Sequence, residues 1–168
     1  RGIWIEKQLG MKQSSQLNDF EDGELKAFKQ GQTIAVTMVQ HCLDEIFNPS
    51  LLYHYTKVGR KLYNVLFVKF AKTGEFVESL TFNSESHEEL FNKLAEDYYH
   101  ICQEVRHRYV NSKELNTITG LHGLLQIRTK ASKNSKGNYV PLVYHNHQIK
   151  DKAMAFYLTN KFEKLLFN

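Results

Sequence analysis

Residues 62–70 read Leu-Tyr-Asn-Val-Leu-Phe-Val-Lys-Phe, a near-continuous apolar run of strand length, and this stretch decides the fold. A strand that is apolar at consecutive positions has to be covered on both faces, as a central strand in a sheet packed by helices is. Working outward, 76–82 follows across Thr73-Gly74 as its hairpin partner. Ser86-His87-Glu88-Glu89 then has the form of a capping box, and Leu90, Leu94, Tyr98, Ile101, Val105 and Tyr109 recur at helical spacing, so a long helix is expected. Upstream, 19–27 and 33–39 are expected to pair as strands around Gln30-Gly31, after a helix over 2–9 that ends at Gly10 and a polar loop over 11–18. Downstream, 124–129 reads as a strand, 133–139 as a polar loop, and 159–167 as a terminal helix with Phe162, Leu165 and Leu166 on one side. The pattern is mixed α/β without repeats or low-complexity tracts.

At 168 residues and 42% hydrophobic content, the chain is long enough to bury one core and too short to expect two, so 1–168 is read as a single domain. No stretch approaches the roughly 20 apolar residues that cross a bilayer, and no charged-then-apolar signal segment opens the chain, so no membrane partner is expected and a cytoplasmic location is. The chain starts at Arg1 rather than methionine, at or just before the first predicted helix, and further upstream residues are expected. Cys42 and Cys102 lack any metal-binding or disulfide spacing and are expected to be buried thiols. The net charge of +4 is unevenly spread: from residue 121 onward eight Lys or Arg face only Asp151 and Glu163. A basic C-terminal third suits a grip on a polyanion, although a solvated lysine-rich surface accounts for it as well.

The chemistry concentrates in Asp19-Phe20-Glu21-Asp22-Gly23-Glu24-Leu25-Lys26. On a strand, Glu24 and Lys26 project to one face while Leu25 points to the other, and Asp19 or Asp22 adds a second carboxylate. Carboxylate oxygens suit a hard cation such as Mg²⁺, and a bound cation with an adjacent ammonium suits phosphodiester cleavage. A Glu-x-Lys triplet is common, and by itself it is equally an exposed ion pair. Asp22 adjoins Gly23 and can serve as a turn residue, which favours Asp19. The histidines, including those of His145-Asn146-His147, have no zinc-site layout, and no Gly-x-Ser-x-Gly elbow is present. Tyr98, Tyr99 and Phe91 read as helix core rather than base-stacking platforms.

Taken together, these segments resemble the MutH family, which comprises the mismatch-repair nicking endonuclease and related GATC-type restriction endonucleases. Arg1-Gly-Ile-Trp-Ile-Glu-Lys-Gln-Leu-Gly10 is similar to the family's glycine-led helix with an accessory active-site glutamate, here Glu6. Asp19-Phe20 and Gly23-Glu24-Leu25-Lys26 resemble its Asp-Phe and Glu-Leu-Lys. More specific are Leu125-Gln-Ile-Arg-Thr-Lys-Ala131 and Ala155-Phe-Tyr-Leu-Thr-Asn-Lys-Phe162, which fall in the recognition segments 124–139 and 153–162. The resemblance implies a restriction-endonuclease-like core, a mixed central sheet flanked by helices, and Mg²⁺-dependent cleavage of double-stranded DNA 5′ to the G of GATC. By position, Asp19, Glu24 and the Leu25 carbonyl would ligate metal, and Lys26 would position or activate water. Arg128 and Lys130 would contact the recognition sequence, Tyr157 would approach the adenine, and Lys61 would lie near the scissile phosphate. A dimer on DNA or a mismatch-repair partner would accompany such an enzyme. Two departures stand out: the Asp19–Glu24 gap is shorter than the family's, leaving Asp19 and Asp22 both open, and Thr129 replaces its proline ahead of a long loop over 133–152. A non-catalytic DNA-binding or effector module of the same fold is the other class, against which the complete Glu-Leu-Lys triplet argues.

Overall fold

In the computed structural model the described residues are 23–130, 133–138 and 153–168, with the backbone of 142–144 and 147–150. Strands β1 (Glu24–Lys29), β3 (Asn64–Phe70) and β4 (Phe76–Asn83) form a mixed sheet in the order β1-β3-β4. The central place of β3 follows from its composition: Val65 and Phe67 are fully buried, and β4 returns antiparallel beside it as a hairpin. A second, antiparallel sheet has the order β2-β9-β6-β5, from β2 (Ile34–Met38), β5 (Ile118–Thr119), β6 (Leu125–Thr129) and β9 (Met154–Leu158). Every residue of β9 is buried, as its position between β2 and β6 requires. Within the stretch expected to be one long loop, β7 (Leu142–Tyr144) and β8 (His147–Lys150) pair as a small hairpin.

The α-helices among the described residues are α1 (Leu43–Ile46), α2 (Lys57–Lys61), α3 (Glu88–Val110) and α4 (Asn160–Leu166). Helix α3 buries Leu94, Tyr98, Ile101 and Val105, the stripe predicted from periodicity, and Tyr98 packs against Phe156 of β9 at 5.7 Å between ring centroids. Helix α4 attaches to the first sheet through Phe162, whose ring lies 5.6 Å from Phe67 and 5.8 Å from Phe82. Each of these fully buried aromatic side chains stabilises the fold by roughly 1.5–3 kcal/mol. The described residues are therefore mixed α/β, with a mixed and an antiparallel sheet flanked by helices and a small antiparallel hairpin beside them.

Three further local expectations change. β1 and β2 do not pair with each other: β1 runs parallel to β3, and β2 pairs with β9. The Lys29–Gln32 turn between them, with Gly31 at φ 75°, is used to carry the chain from one sheet to the other. The capping box does not form, since the Ser86 hydroxyl turns to the Asn83 carbonyl and His87, and α3 starts at Glu88. In α4 the inward face is Phe162, Glu163 and Leu166, whereas Leu165 is exposed. Phe162 and Leu166 are one helical turn apart, and the remaining inward position is filled by the Glu163 carboxylate, which faces Lys69 and accepts from the Gly31 N–H.

Candidate active site

The parallel pairing of β1 with β3 brings the N-terminal ends of both strands to the same edge of the sheet. Glu24 registers with Val65, and Lys26 with Phe67. Gly23, just before β1, lies so close to β3 that a Cβ there would stand 2.8 Å from the Asn64 carbonyl oxygen, so only glycine permits this approach. Immediately before β3 comes α2, and its last residue, Lys61, therefore hangs over the start of β1. Helix α2 is pinned in turn. The Thr56 hydroxyl caps it by accepting from the Gly59 N–H at 3.0 Å, the Glu45 carboxylate accepts from the Lys57 N–H at 2.8 Å, and Gly59 sits directly on the Tyr53 carbonyl, where no side chain would fit.

The result is a buried carboxylate held between two ammonium groups. Glu24 is only 3% exposed. Lys26 donates to its Oε1, and Lys61 Nζ donates to Oε1 at 2.9 Å and to Oε2 at 3.1 Å. Burying a carboxylate is costly unless it is paired, and a pair of apolar residues at this point would stabilise a sheet as well or better. One carboxylate with two ammonium groups leaves one positive charge in excess, which favours the approach of a phosphate. As donors for a cation, the Glu24 carboxylate and the Leu25 main-chain carbonyl are hard oxygens of the kind Mg²⁺ takes. Among the described residues no cluster of three His, Cys, Asp or Glu forms, and Asp19, Asp22 and Glu6 lie outside the described residues.

A second constellation lies on the other sheet. Arg128 of β6 and Tyr157 of β9 are diagonal neighbours across the ladder, since Arg128 registers with Ala155 and Gln126 with Tyr157. The guanidinium lies over the Tyr157 ring at 4.5 Å from its centroid and donates from Nη2 to the Thr33 hydroxyl at 2.8 Å. Tyr157 is buried, while Arg128 is exposed. Lys130 is exposed and continues the same ladder, its N–H donating to the Ala153 carbonyl at 2.8 Å. No family model matches the chain, and no curated protein does.

Of the sequence-predicted residues, Glu24, Lys26 and Lys61 thus meet at one point and Arg128 and Tyr157 at another. Thr33 was missed, because nothing local marks a threonine 95 positions from the arginine it holds. Also missed was Glu163, whose carboxylate accepts from the Gly31 N–H at 2.9 Å and faces Lys69 at 3.6 Å. Among the described residues no helix is long and apolar enough to cross a membrane. Both cysteines are buried as expected, and burial pushes the Cys42 and Cys102 thiols up to about 12.

Proposed function

We propose that this chain is a Mg²⁺-dependent, sequence-specific DNA endonuclease of the type II restriction or MutH-like kind, with a restriction-endonuclease-like core, acting at the short duplex site GATC. The observation that carries the reading is the meeting of Glu24, Lys26 and Lys61 at the paired ends of two parallel strands. A buried carboxylate with two ammonium groups is a weak way to stabilise a sheet, whereas phosphodiester hydrolysis uses each of them.

Glu24 and the Leu25 carbonyl, with Asp19 or Asp22 as the second carboxylate and Glu6 as accessory, would hold Mg²⁺. When bound, such an ion supplies Lewis-acid stabilisation and a more acidic water. Lys26 orients the attacking water, with Glu24 fixing the ammonium through their ion pair. Lys61 turns a positive charge toward the scissile phosphate, and it can leave Glu24 to do so because its attachment is an ion pair on a long, partly exposed side chain. Arg128, Lys130 and Tyr157 read the duplex: a guanidinium pairs with the O6 and N7 edge of guanine, and a lysine adds a base or phosphate contact.

The test is digestion of methylated, hemimethylated and unmethylated plasmid with Mg²⁺, followed by mapping of the ends. Cleavage at GATC that disappears in Glu24→Ala and Lys26→Ala, with duplex binding retained, is the expected result. Full activity of both variants would overturn the assignment.

A further inference from the structure

We infer that Thr33 is the positioning residue that sets Arg128 for base reading, a role that rests on the endonuclease proposal and deepens it. An exposed arginine on a strand ordinarily samples many rotamers, and ordering it on contact with a ligand subtracts from both affinity and selectivity. Here the guanidinium is restrained from two sides before any ligand arrives. The Tyr157 ring lies 4.5 Å from its central carbon and restrains it from one side. The Thr33 hydroxyl, 2.8 Å from Nη2, restrains it from another. Thr33 takes one of the five N–H groups of the fork. The remaining donors form a flat edge that matches two acceptors side by side, the pattern that guanine presents in the major groove.

Thr33 is itself held firmly. It follows the Lys29–Gln32 turn, which is anchored by the Gln30 N–H donating to the Phe70 carbonyl at 2.8 Å and the Gly31 N–H donating to Glu163 at 2.9 Å. The chain segment that supplies Tyr157 continues into α4, which supplies Glu163. Both jaws of the clamp therefore depend on the C-terminal segment.

The experiment measures kcat/KM for duplex oligonucleotides carrying GATC and for duplexes with its G·C pair replaced, in Mg²⁺, for the wild type, Thr33→Val, Thr33→Ala and Thr33→Ser. Loss of the hydroxyl should lower discrimination between the two duplexes by about tenfold, the size of one hydrogen bond to a charged group, by slowing the GATC duplex alone. Thr33→Ser should restore it, and Thr33→Ala separates the lost hydroxyl from any misfit of valine. Unchanged discrimination in both Val and Ala variants, or an equal fall on both duplexes, overturns the clamp and leaves the endonuclease proposal standing. A wild-type protein that neither binds nor cuts either duplex overturns the endonuclease proposal and the clamp with it.

Discussion

Glu24 and Asp97 are both buried carboxylates, at 3% and 0% exposure, and they are compensated by different kinds of partner. Asp97, on α3, accepts from three backbone N–H groups, those of His122 at 2.6 Å, Leu124 at 2.7 Å and Leu125 at 2.9 Å. Gly120 packs against its side chain so closely that a Cβ there would stand 2.2 Å from Cγ. Backbone amides cannot move away without unfolding the turn, so Asp97 is a structural staple between the long helix and the start of β6. Glu24 has two lysine ammonium groups instead, each on a flexible stem. A carboxylate satisfied in that way can exchange partners while the backbone stays in place. The difference separates a carboxylate locked to the backbone from one whose partners can leave it, although burial alone makes them look alike.

The sharpest way to break this comparison is Glu24→Gln, which keeps an oxygen for the lysines but removes the charge. Cleavage of a GATC duplex should fall at least about a thousandfold, with the urea midpoint little changed. An active Glu24→Gln enzyme would place Glu24 with Asp97 among the structural groups. The mirror experiment is Asp97→Ala, which leaves three amides without their acceptor. Stability measured by urea unfolding should drop by about 3–5 kcal/mol, since each unsatisfied group costs roughly 1–3 kcal/mol and water recovers part of it. A loss below about 1 kcal/mol would mean that the turn holds without the staple.

Arg128→Lys keeps the charge and loses the planar fork. Competition binding should show preference for GATC over a G·C-substituted duplex reduced by about 1–3 kcal/mol, with non-specific binding retained. Equal weakening on both duplexes would make Arg128 a phosphate contact. The smallest effect concerns the thiols. With Cys42 and Cys102 held near 12 by burial, the folded protein should react with thiol reagents at neutral pH far more slowly than the urea-unfolded chain. Because the folded values lie above the unfolded one of 9.0, the stability contributed by keeping these thiols protonated is complete below that pH and is lost as pH rises toward 12. Rapid labelling of the native protein would show that the packing around them opens readily.

Much of the architecture was legible from local pattern. The run at 62–70 became the central strand, the 3.6-residue stripe became α3, and the alternation at Glu24 and Lys26 set both on one face of β1. The mistakes share a cause. The strand pair expected around Gln30-Gly31 looked like a hairpin because a turn signal records only that the chain reverses, not which strand lies beside it. Leu165 was expected inside because helical spacing leaves its neighbour Phe162 and its own face nearly equivalent, and the buried pairing of Glu163 with Lys69 and Gly31 decided the rotation.

By itself the sequence determined strands β1 to β4 and β6, the long helix α3 and the terminal helix α4, and that an acidic-basic triplet sits on a strand, whereas α1, α2, β5 and β7 to β9 were not marked by local pattern. The former follow from periodicity and side-chain chemistry within a few residues. Only the tertiary structure decided that β1 runs parallel to β3, which sets Lys61 against a glutamate 37 positions away. It also decided that Thr33 restrains Arg128 and that Asp97 is stapled to the β6 turn. Such contacts arise when distant segments close together in one packed core, and the free energy that selects them is spread over the whole interface rather than written in any local stretch.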